Sequence, residues 1–429
     1  MGTEELTREE RRELRRKRRI KNLILAYVGT ALTILVLIVG TIIGVRVLKQ
    51  WKSEEGFFSQ GKDSENGETS SDIIEQPTKE ELLNEIIDAR ISEMTLEEKV
   101  AGLFIVTPES ITNVTTAIQA GNGTKTAIEK YPVGGLIYFT KNIQSESQIK
   151  EMIANTVSYS RFPLFLAVDE EGGKVARVAE ALKLENVGNM AQIGSTGDVT
   201  QAYNAMQKIG NYLTNYGFNL NFAPVADVLT NSNNVSIGDR SFGNDVNLVS
   251  NMVVSAVKGL QETGITACMK HFPGLGDAGT DTHNGLAVVN KTMEELKATE
   301  LIPFIAGIEA GVEMIMIGHV SLPQITGDNT PATISEEIIS NLLRKELGFD
   351  GVVITDAMNM GAITKYYKAN DAATLALKAG ADMILMPENF ELAYKGVLEA
   401  VQNGTLSEER IDDSLTRVYR IKYADMVAD

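Results

Sequence analysis

The chain has 429 residues, a formal net charge of −17, three histidines and one cysteine. The acidic balance argues against a nucleic-acid partner, because phosphates are bound by basic surfaces. One cysteine excludes an intrachain disulfide, which for an exported domain suggests a bacterial source.

A basic tail and an apolar segment open the chain. Residues 1–22 carry nine Lys and Arg against five acids, and residues 23–45 (LILAYVGTALTILVLIVGTIIGV) contain no charge. At about 1.5 Å per residue this run can cross a hydrocarbon core of about 30 Å. It predicts one transmembrane helix, with the basic tail in the cytoplasm and the rest of the chain outside the cell. A cleaved signal peptide is the alternative, but its apolar region is usually only about 7–15 residues long.

The rest of the chain divides into a spacer and a globular domain. Residues 46–79 are polar and poor in aliphatic side chains, which is typical of a disordered linker. Residues 80–429 form the predicted globular domain. Because residues 1–22 carry a net +4 of the total −17, the remainder carries −21 and is distinctly acidic.

Short apolar runs recur through residues 80–429 and alternate with helix-like segments. There are eight of them: AGLFIVTP, VGGLIYFT, PLFLAVDEE, LNFAPVADV, ITACMKHFP, EMIMIGHV, GVVITDAM and ADMILMP. Runs of this kind are typical of parallel strands buried on both faces. An intervening segment, residues 336–349, has the three-and-four spacing of an amphipathic helix. The fold class is therefore α/β, and the pattern predicts a (β/α)₈ TIM-type barrel. A doubly wound open sheet is the alternative, although no GxGxxG follows a strand.

Polar side chains stand at or just beyond the ends of these runs. They are Asp169, Arg177, Asp227, Lys270, His271, His319 and Asp356. In a barrel the carboxyl ends of the strands converge on one face, where active sites are built. One or two of these residues could instead cap the helices that follow.

Two candidate catalytic groups stand out. Asp356 directly follows a β-branched strand, so it is a candidate nucleophile, with helix capping as the alternative role. Asp281 and His283 are two residues apart in the segment KHFPGLGDAGTDTH. In an extended loop the carboxylate could orient the imidazole for acid and base catalysis. A loop histidine bonded to nearby backbone is the alternative, and a zinc site is disfavoured because no HxH or HExxH occurs.

Several motifs together resemble glycoside hydrolase family 3. They are MTLEEKVAGLF, VGGLIYF, AVDEEGGKVARV, NLNFAPVADV, IGDRSFG, KHFPGLGDAGTDTH and GVVITDAMNMGAI, and they span residues 90–429. The branch that the chain resembles most is the bacterial β-N-acetylglucosaminidases of cell-wall turnover. Leu275 stands where the family commonly has histidine, and Thr282 where it has serine.

The resemblance implies a role for each matching residue. Asp356 would be the nucleophile and His283 the acid/base, with Asp281 orienting it. The groups that would bind the terminal sugar are Asp169, Arg177, Arg240, Lys270 and His271, without a metal or other cofactor. His319 is expected either to line the pocket or to serve as a buried core residue. The chain ends about forty residues after its last predicted strand, so we expect the acid/base to come from the barrel.

These roles predict a retaining exo-β-N-acetylglucosaminidase that releases terminal GlcNAc from peptidoglycan-derived glycans through a glycosyl-aspartate. The expected location is the bacterial cell membrane, single-pass, with the catalytic domain extracellular and no nucleic-acid partner. Three alternatives stay open: a GlcNAc phosphorylase using the same Asp281–His283 dyad, a family 3 β-glucosidase or β-xylosidase, and a non-catalytic glycan-binding protein.

Overall fold

The computed structural model describes residues 77–279 and 285–427, which belong to one compact unit beginning at Gln76. Among these residues no helix is both long enough and apolar enough to cross a bilayer. The predicted transmembrane segment, 23–45, lies outside the described residues, as do the basic tail and most of the linker. Those three assignments remain predictions.

The strands of the described residues fall into one large sheet and two small ones. In chain order they are β1 (Phe104–Val106), β2 (Gly135–Ile137), β3 (Phe165–Val168), β4 (Glu170–Gly172), β5 (Val175–Ala176), β6 (Leu220–Asn221), β7 (Thr266–Phe272), β8 (Ala287–Val288), β9 (Met314–Ile317), β10 (Val320–Ser321), β11 (Val352–Thr355) and β12 (Ile384–Leu385). The large sheet has eight strands in the order β11-β9-β7-β6-β3-β2-β1-β12, and its strand pairs are parallel.

The large sheet closes into a barrel. Ile354 of β11 forms a parallel bridge with Met383, next to β12, and the Asp382 amide donates to the Val353 carbonyl at 2.7 Å. The two outer strands of the sheet order are therefore joined, which rules out the doubly wound open sheet. Each of the eight predicted runs contains one barrel strand, so the predicted (β/α)₈ barrel is confirmed.

Helices connect the barrel strands. In chain order they are Lys79–Ser92, Leu96–Ala101, Pro108–Thr112, Asn122–Lys130, Glu146–Tyr159, Arg177–Leu182, Met190–Ser195, Val199–Tyr216, Val246–Gln261, Met293–Ala298, Leu301–Glu309, Pro323–Thr326, the π-helix Glu337–Glu346, Gly361–Thr364, Ala369–Ala379, Phe390–Gln402 and Glu408–Lys422. Short 3₁₀ turns occur at Thr140–Asn142, Gly238–Arg240, Ala332–Ile334 and Ala424–Val427.

Local sequence explains where the long helices begin and end. Asp198 and Asp245 accept hydrogen bonds from the first-turn amides of Val199–Tyr216 and Val246–Gln261, as expected of N-cap carboxylates. Gly217 ends the first of these helices at a φ of 93°, where a side chain would be strained. The predicted helix at residues 336–349 is present, but its hydrogen bonds follow the π pattern.

The core consists of two layers. Apolar side chains inside the barrel, among them Ile105, Phe165, Met314 and Ile354, form one cluster, and a larger cluster fills the space between strands and helices. Val418 of the C-terminal helix Glu408–Lys422 belongs to the inner cluster. This helix therefore covers the amino-terminal end of the barrel, which leaves the carboxyl ends of the strands as the open face.

Candidate active site

A cavity of about 270 Å³ lies at the carboxyl ends of the barrel strands. It is lined by most of the side chains that the sequence predicted as functional. They are Asp169, Arg177, Arg240, Lys270, His271 and Asp356. Strand ends that are far apart in sequence are thus brought to one opening by barrel closure, as the strand-end pattern predicted.

Asp356 lies directly after β11, at the base of this cavity. Its amide donates to the Ile317 carbonyl at 2.9 Å, which fixes the backbone, and the Ala357 amide donates to Oδ1 at 2.7 Å. The next helix, Gly361–Thr364, has Met360 as its N-cap, so Asp356 is not the cap of that helix. Its carboxylate is left to act at the cavity.

The charges around Asp356 keep it ionised. Burial acts to raise its pKa, but His319, His271, the Ala357 amide and Lys270 together hold the pKa of the carboxyl below its ordinary value. Favourable positive charge near a buried carboxylate lowers its pKa in this way. A nucleophilic carboxylate must be ionised to attack, so the electrostatics suit that role.

His319 is fully buried and is not among the residues that line the cavity. Its Nδ1 lies 3.0 Å from Thr333 Oγ1, and its Nε2 lies 2.9 Å from the Ala357 carbonyl. Of the two roles expected for this histidine, the structure shows the buried one. His319 fixes the backbone immediately after Asp356 and contributes to its local electrostatics.

Lys270 joins two acids that also line the cavity. Its Nζ lies 2.8 Å from Asp169 Oδ1 and 2.6 Å from Glu171 Oε1. Burial acts to lower the pKa of Lys270, but these carboxylates outweigh it and raise the pKa. The lysine is therefore held as an ammonium, a strong donor for sugar hydroxyls.

Glu171 is a functional residue that the sequence interpretation missed. It accepts a two-pronged ion pair from Arg240, with Nε to Oε2 at 2.8 Å and Nη2 to Oε1 at 2.9 Å. Burial acts to raise the pKa of Glu171, yet Arg240 and Lys270 hold the pKa far below its ordinary value. Its position in the acidic run DEEGG was the available signal, but sequence alone does not tell which acid faces the cations.

His271 is oriented by Asp227. Asp227 Oδ2 lies 2.7 Å from His271 Nδ1 and accepts the His271 amide at 3.3 Å, while Oδ1 accepts the Leu275 amide at 2.6 Å. His271 Nε2 lies 3.5 Å from Arg240 Nη2. Asp227 is fully buried, so it acts through His271 and through the segment at Leu275.

Arg177 lines the cavity and carries one buried donor without a partner among the described residues. Its Nε is buried and makes no hydrogen bond within the described parts of the chain. The helix that begins with Arg177 is held by Glu170, which accepts the amides of Val178 and Ala179 at 2.6 and 3.0 Å and the Tyr212 hydroxyl at 2.6 Å. The Arg177 guanidinium is thus carried by a helix that is fixed beside the cavity.

The predicted dyad, Asp281 and His283, lies outside the described residues, so its role remains a prediction. Leu275, at the position where the family commonly has histidine, is buried and lines the cavity. Gly276 is required nearby, because a Cβ there would lie 1.8 Å from the Val228 carbonyl oxygen. Within residues 77–279 and 285–427 no group of three or more His, Cys, Asp or Glu could hold a metal ion.

Residues 95–421 match the model of the glycosyl hydrolase family 3 N-terminal domain. The chain belongs to glycosyl hydrolase family 3. The family resemblance seen in the motifs is therefore confirmed.

Two named relatives extend the comparison. Beta-hexosaminidase A of Pseudoalteromonas piscicida is 34% identical over 324 residues, which cover 69% of this chain and 54% of the relative. A beta-hexosaminidase of Xanthomonas oryzae pv. oryzae is 34% identical over 279 residues, 64% of this chain and 82% of the relative. The chain thus spans about half the length of the first relative and most of the second.

A solved structure agrees with the barrel. The family 3 beta-N-acetylglucosaminidase from Paenibacillus sp. str. FPU-7 superimposes with a TM-score of 0.72 at 38% sequence identity. The superposition covers 78% of this chain and 64% of that protein.

Proposed function

We propose that this protein is a retaining, exo-acting β-N-acetylglucosaminidase. One observation carries the proposal: Asp356, ionised and fixed by the Ala357 amide, lies in a cavity that it shares with Lys270, Arg240, His271 and Arg177. A single carboxylate among many hydrogen-bond donors suits one terminal sugar whose hydroxyls are held while its anomeric carbon is attacked. The beta-hexosaminidase relatives support this choice of sugar.

In the first step an oxygen of Asp356 attacks the anomeric carbon of the terminal GlcNAc. The bond from that carbon to the leaving oxygen breaks, and the leaving oxygen takes a proton from His283. The product is a covalent glycosyl-aspartate and a free aglycone. Lys270 and Arg240 keep their charge throughout, because the carboxylates of Glu171 and Asp169 lie against them.

In the second step water attacks the same carbon from the opposite face. Neutral His283 takes the proton from this water, and the bond to Asp356 breaks. Two displacements give net retention of configuration. Asp281 would orient the His283 imidazole between the two roles.

We also propose the substrate class and the location that the sequence predicted. The substrates are peptidoglycan-derived glycans with terminal GlcNAc. The protein is anchored in a bacterial cell membrane by residues 23–45, and its linker places the catalytic domain outside the cell. Protease accessibility of the barrel on intact cells tests this topology: protection of the barrel would contradict it.

The activity is tested with aryl β-GlcNAc and aryl β-glucoside as substrates. The wild type is expected to cleave the first with β-GlcNAc as the initial product, as monitored by NMR. Asp356→Ala is expected to lose at least about 10³-fold in kcat. Added azide should then give the α-glycosyl azide, because azide takes the place of the missing carboxylate. An initial α product, or a fully active Asp356→Ala, would overturn the proposal.

The acid/base role of His283 requires a second comparison. The kcat of His283→Ala is expected to fall about 10²–10⁴-fold with a disaccharide substrate. It should fall much less with a substrate that has an activated aryl leaving group. Equal losses on both substrates would remove His283 as proton donor. Addition of phosphate separates hydrolysis from the phosphorylase alternative, since formation of GlcNAc 1-phosphate would identify a phosphorylase.

A further inference from the structure

A buried chain of hydrogen bonds runs behind Asp356. His319 Nδ1 lies 3.0 Å from Thr333 Oγ1, and His319 Nε2 lies 2.9 Å from the Ala357 carbonyl oxygen. Both side chains, His319 and Thr333, are fully buried. Among the described residues, the lining of the Asp356 cavity includes neither of them. Any effect of Thr333 on the reaction must therefore pass through His319 and the backbone.

The acceptor at one end of this chain decides where the imidazole carries its proton. A carbonyl oxygen only accepts hydrogen bonds, so Nε2 must be protonated to bind Ala357. In the neutral imidazole Nδ1 is then an acceptor, and the Thr333 hydroxyl must donate to it. In the charged imidazole Nδ1 donates, and the hydroxyl can turn to accept. The bond from Nε2 to Ala357 is therefore kept in both protonation states.

Ala357 links this chain to the carboxylate. Its amide donates to Asp356 Oδ1 at 2.7 Å. Its carbonyl also accepts the Met360 amide at 3.0 Å, so that two donors share the lone pairs of this oxygen. Ala357 is thus bonded at its amide and at its carbonyl. A change in the His319 imidazole would therefore alter the backbone that orients the Asp356 carboxylate.

The other end of the chain is fixed independently of Asp356. Thr333 lies in the 3₁₀ turn Ala332–Ile334. The residue before this turn, Pro331, forms an antiparallel bridge with Ser321 of β10. The backbone of the turn therefore presents the Thr333 hydroxyl to His319 from a fixed position.

We infer that Thr333 is a positioning residue for the nucleophile. Its hydroxyl holds the His319 imidazole in the orientation and tautomer that fix Ala357, and Ala357 in turn orients the Asp356 carboxylate. This inference rests on the proposed function, in which Asp356 attacks the sugar. It predicts that Thr333 affects the rate of attack and not the binding of the sugar, because a displaced nucleophile reacts slowly without losing any contact to the substrate.

Steady-state kinetics on aryl β-GlcNAc test the role of the hydroxyl. Thr333→Val keeps the shape of the side chain but removes the hydroxyl, so kcat is expected to fall about tenfold while KM stays within about twofold. Thr333→Ser keeps the hydroxyl and should retain at least about half of the wild-type kcat. Wild-type kcat in Thr333→Val, a loss confined to KM, or an equal loss in Thr333→Ser would overturn the inference.

Thr156→Val is the matched control for removal of a buried threonine hydroxyl. Thr156 is fully buried in the helix Glu146–Tyr159, and its Oγ1 donates to the Met152 carbonyl at 2.8 Å. The control should lose stability in urea denaturation and keep the wild-type kcat. A fall in kcat equal to that of Thr333→Val would assign the Thr333 effect to general stability, and would also overturn the inference.

The azide-rescued Asp356→Ala enzyme tests whether Thr333 acts through Asp356. Azide supplies the attacking group there, so no carboxylate is left to orient. Thr333→Val is therefore expected to cost about tenfold with Asp356 in place and no more than about twofold in the Asp356→Ala background with azide. An equal loss in both backgrounds would show that Thr333 does not act through the nucleophile.

Imidazole ¹⁵N NMR of the full-length protein reads the chain without turnover. The protein has only three histidines, and the spectrum of His319→Gln identifies the His319 signals. At about pH 8.5, above the ordinary histidine pKa of about 6.5, the wild type should show His319 protonated at Nε2. Protonation at Nδ1 instead would overturn the inference even if the Thr333 variants did not fold.

These measurements separate the inference from the proposed activity. If the wild type cleaves neither aryl substrate but the NMR shows the Nε2 tautomer and its loss in Thr333→Val, the activity fails and the hold of Thr333 on His319 stands. If cleavage occurs but Thr333→Val has the wild-type kcat, the activity stands and the positioning role fails.

Discussion

Lys270 Nζ lies 2.6 Å from Glu171 Oε1, and the two side chains are only 3% and 2% exposed. The same carboxylate pairs with Arg240 through both of its oxygens. One buried acid from β4 therefore holds a cation from β7 and another from the segment that follows β6. This single carboxylate therefore bridges the two cations for which we propose a role in sugar binding.

We expect Glu171→Gln to damage both stability and activity. The change keeps the shape but leaves Lys270 and Arg240 without a shared counter-charge, and breaking a buried ion pair costs about 3–5 kcal/mol. Chemical denaturation should show that the free energy of unfolding falls by about this amount. The kcat/KM on aryl β-GlcNAc should fall at least about tenfold. Glu185→Gln removes an exposed acid that lies 2.7 Å from Lys208 and should cost no more than about 1 kcal/mol. Equal effects of the two variants would contradict the role given to Glu171.

Asp227→Asn is expected to lower activity through His271. Both oxygens of Asp227 accept hydrogen bonds, from His271 and from the Leu275 amide, so an amide NH₂ must face a donor in either orientation. The lost bond is worth about 1–3 kcal/mol, or roughly a 5–150-fold loss of kcat/KM. Asp239→Asn, an exposed acid nearby, is the control. An Asp227→Asn enzyme with wild-type kcat/KM would show that His271 needs no such partner.

Asn234 links the segment that carries Arg240 to the segment that leads to the predicted dyad. Its Nδ2 donates to the Leu275 carbonyl at 2.7 Å, and its Oδ1 accepts from Ser236 Oγ at 2.8 Å and from the Ile237 amide at 3.1 Å. We expect Asn234→Ala to lower kcat by about 5–50-fold, because the bond between the two segments and the two bonds that order the Arg240 segment are lost. Steady-state kinetics beside the exposed neighbour variant Asn233→Ala measures the effect. A change confined to thermal stability would reduce Asn234 to a structural role.

Lys422 should make stability depend on pH. Its Nζ donates to the Gly134 carbonyl at 2.7 Å and lies 4.6 Å from the centre of the Phe165 ring, and burial lowers its pKa to about 7. Its pKa in the unfolded chain is about 10.4, so between these values the unfolded state binds more protons. The free energy of unfolding therefore rises with pH between about 7 and 10.4. This gain is lost as the pH falls back to about 7.

The variant Lys422→Met removes this titration. The free energy of unfolding of wild type minus variant is expected to increase with pH across that window, as measured by urea denaturation at several pH values. Lys258→Met, at a side chain that is 68% exposed, is the matched control for removal of a lysine charge. A flat profile for Lys422→Met would mean that Lys422 keeps an ordinary pKa in the folded protein.

Much of the architecture could be predicted because parallel barrel strands are buried on both faces. Such strands appear in sequence as continuous apolar runs, and all eight were found in this way. The strand-end rule then placed Asp169, Lys270, His271 and Asp356 at one opening, since barrel closure brings every carboxyl end to the same face. The π pattern of Glu337–Glu346 was not predictable, because apolar spacing of three and four does not distinguish it from an α-helix.

The sequence by itself determined the fold class, the family motifs and the nucleophile candidate, since these follow from local residue patterns. Only the tertiary structure decided how the charges pair. It showed that Glu171 serves two cations, that Asp227 orients His271, and that His319 is buried behind Asp356. Each of these features joins residues that are far apart in the chain, and distances of that kind arise only when the barrel closes.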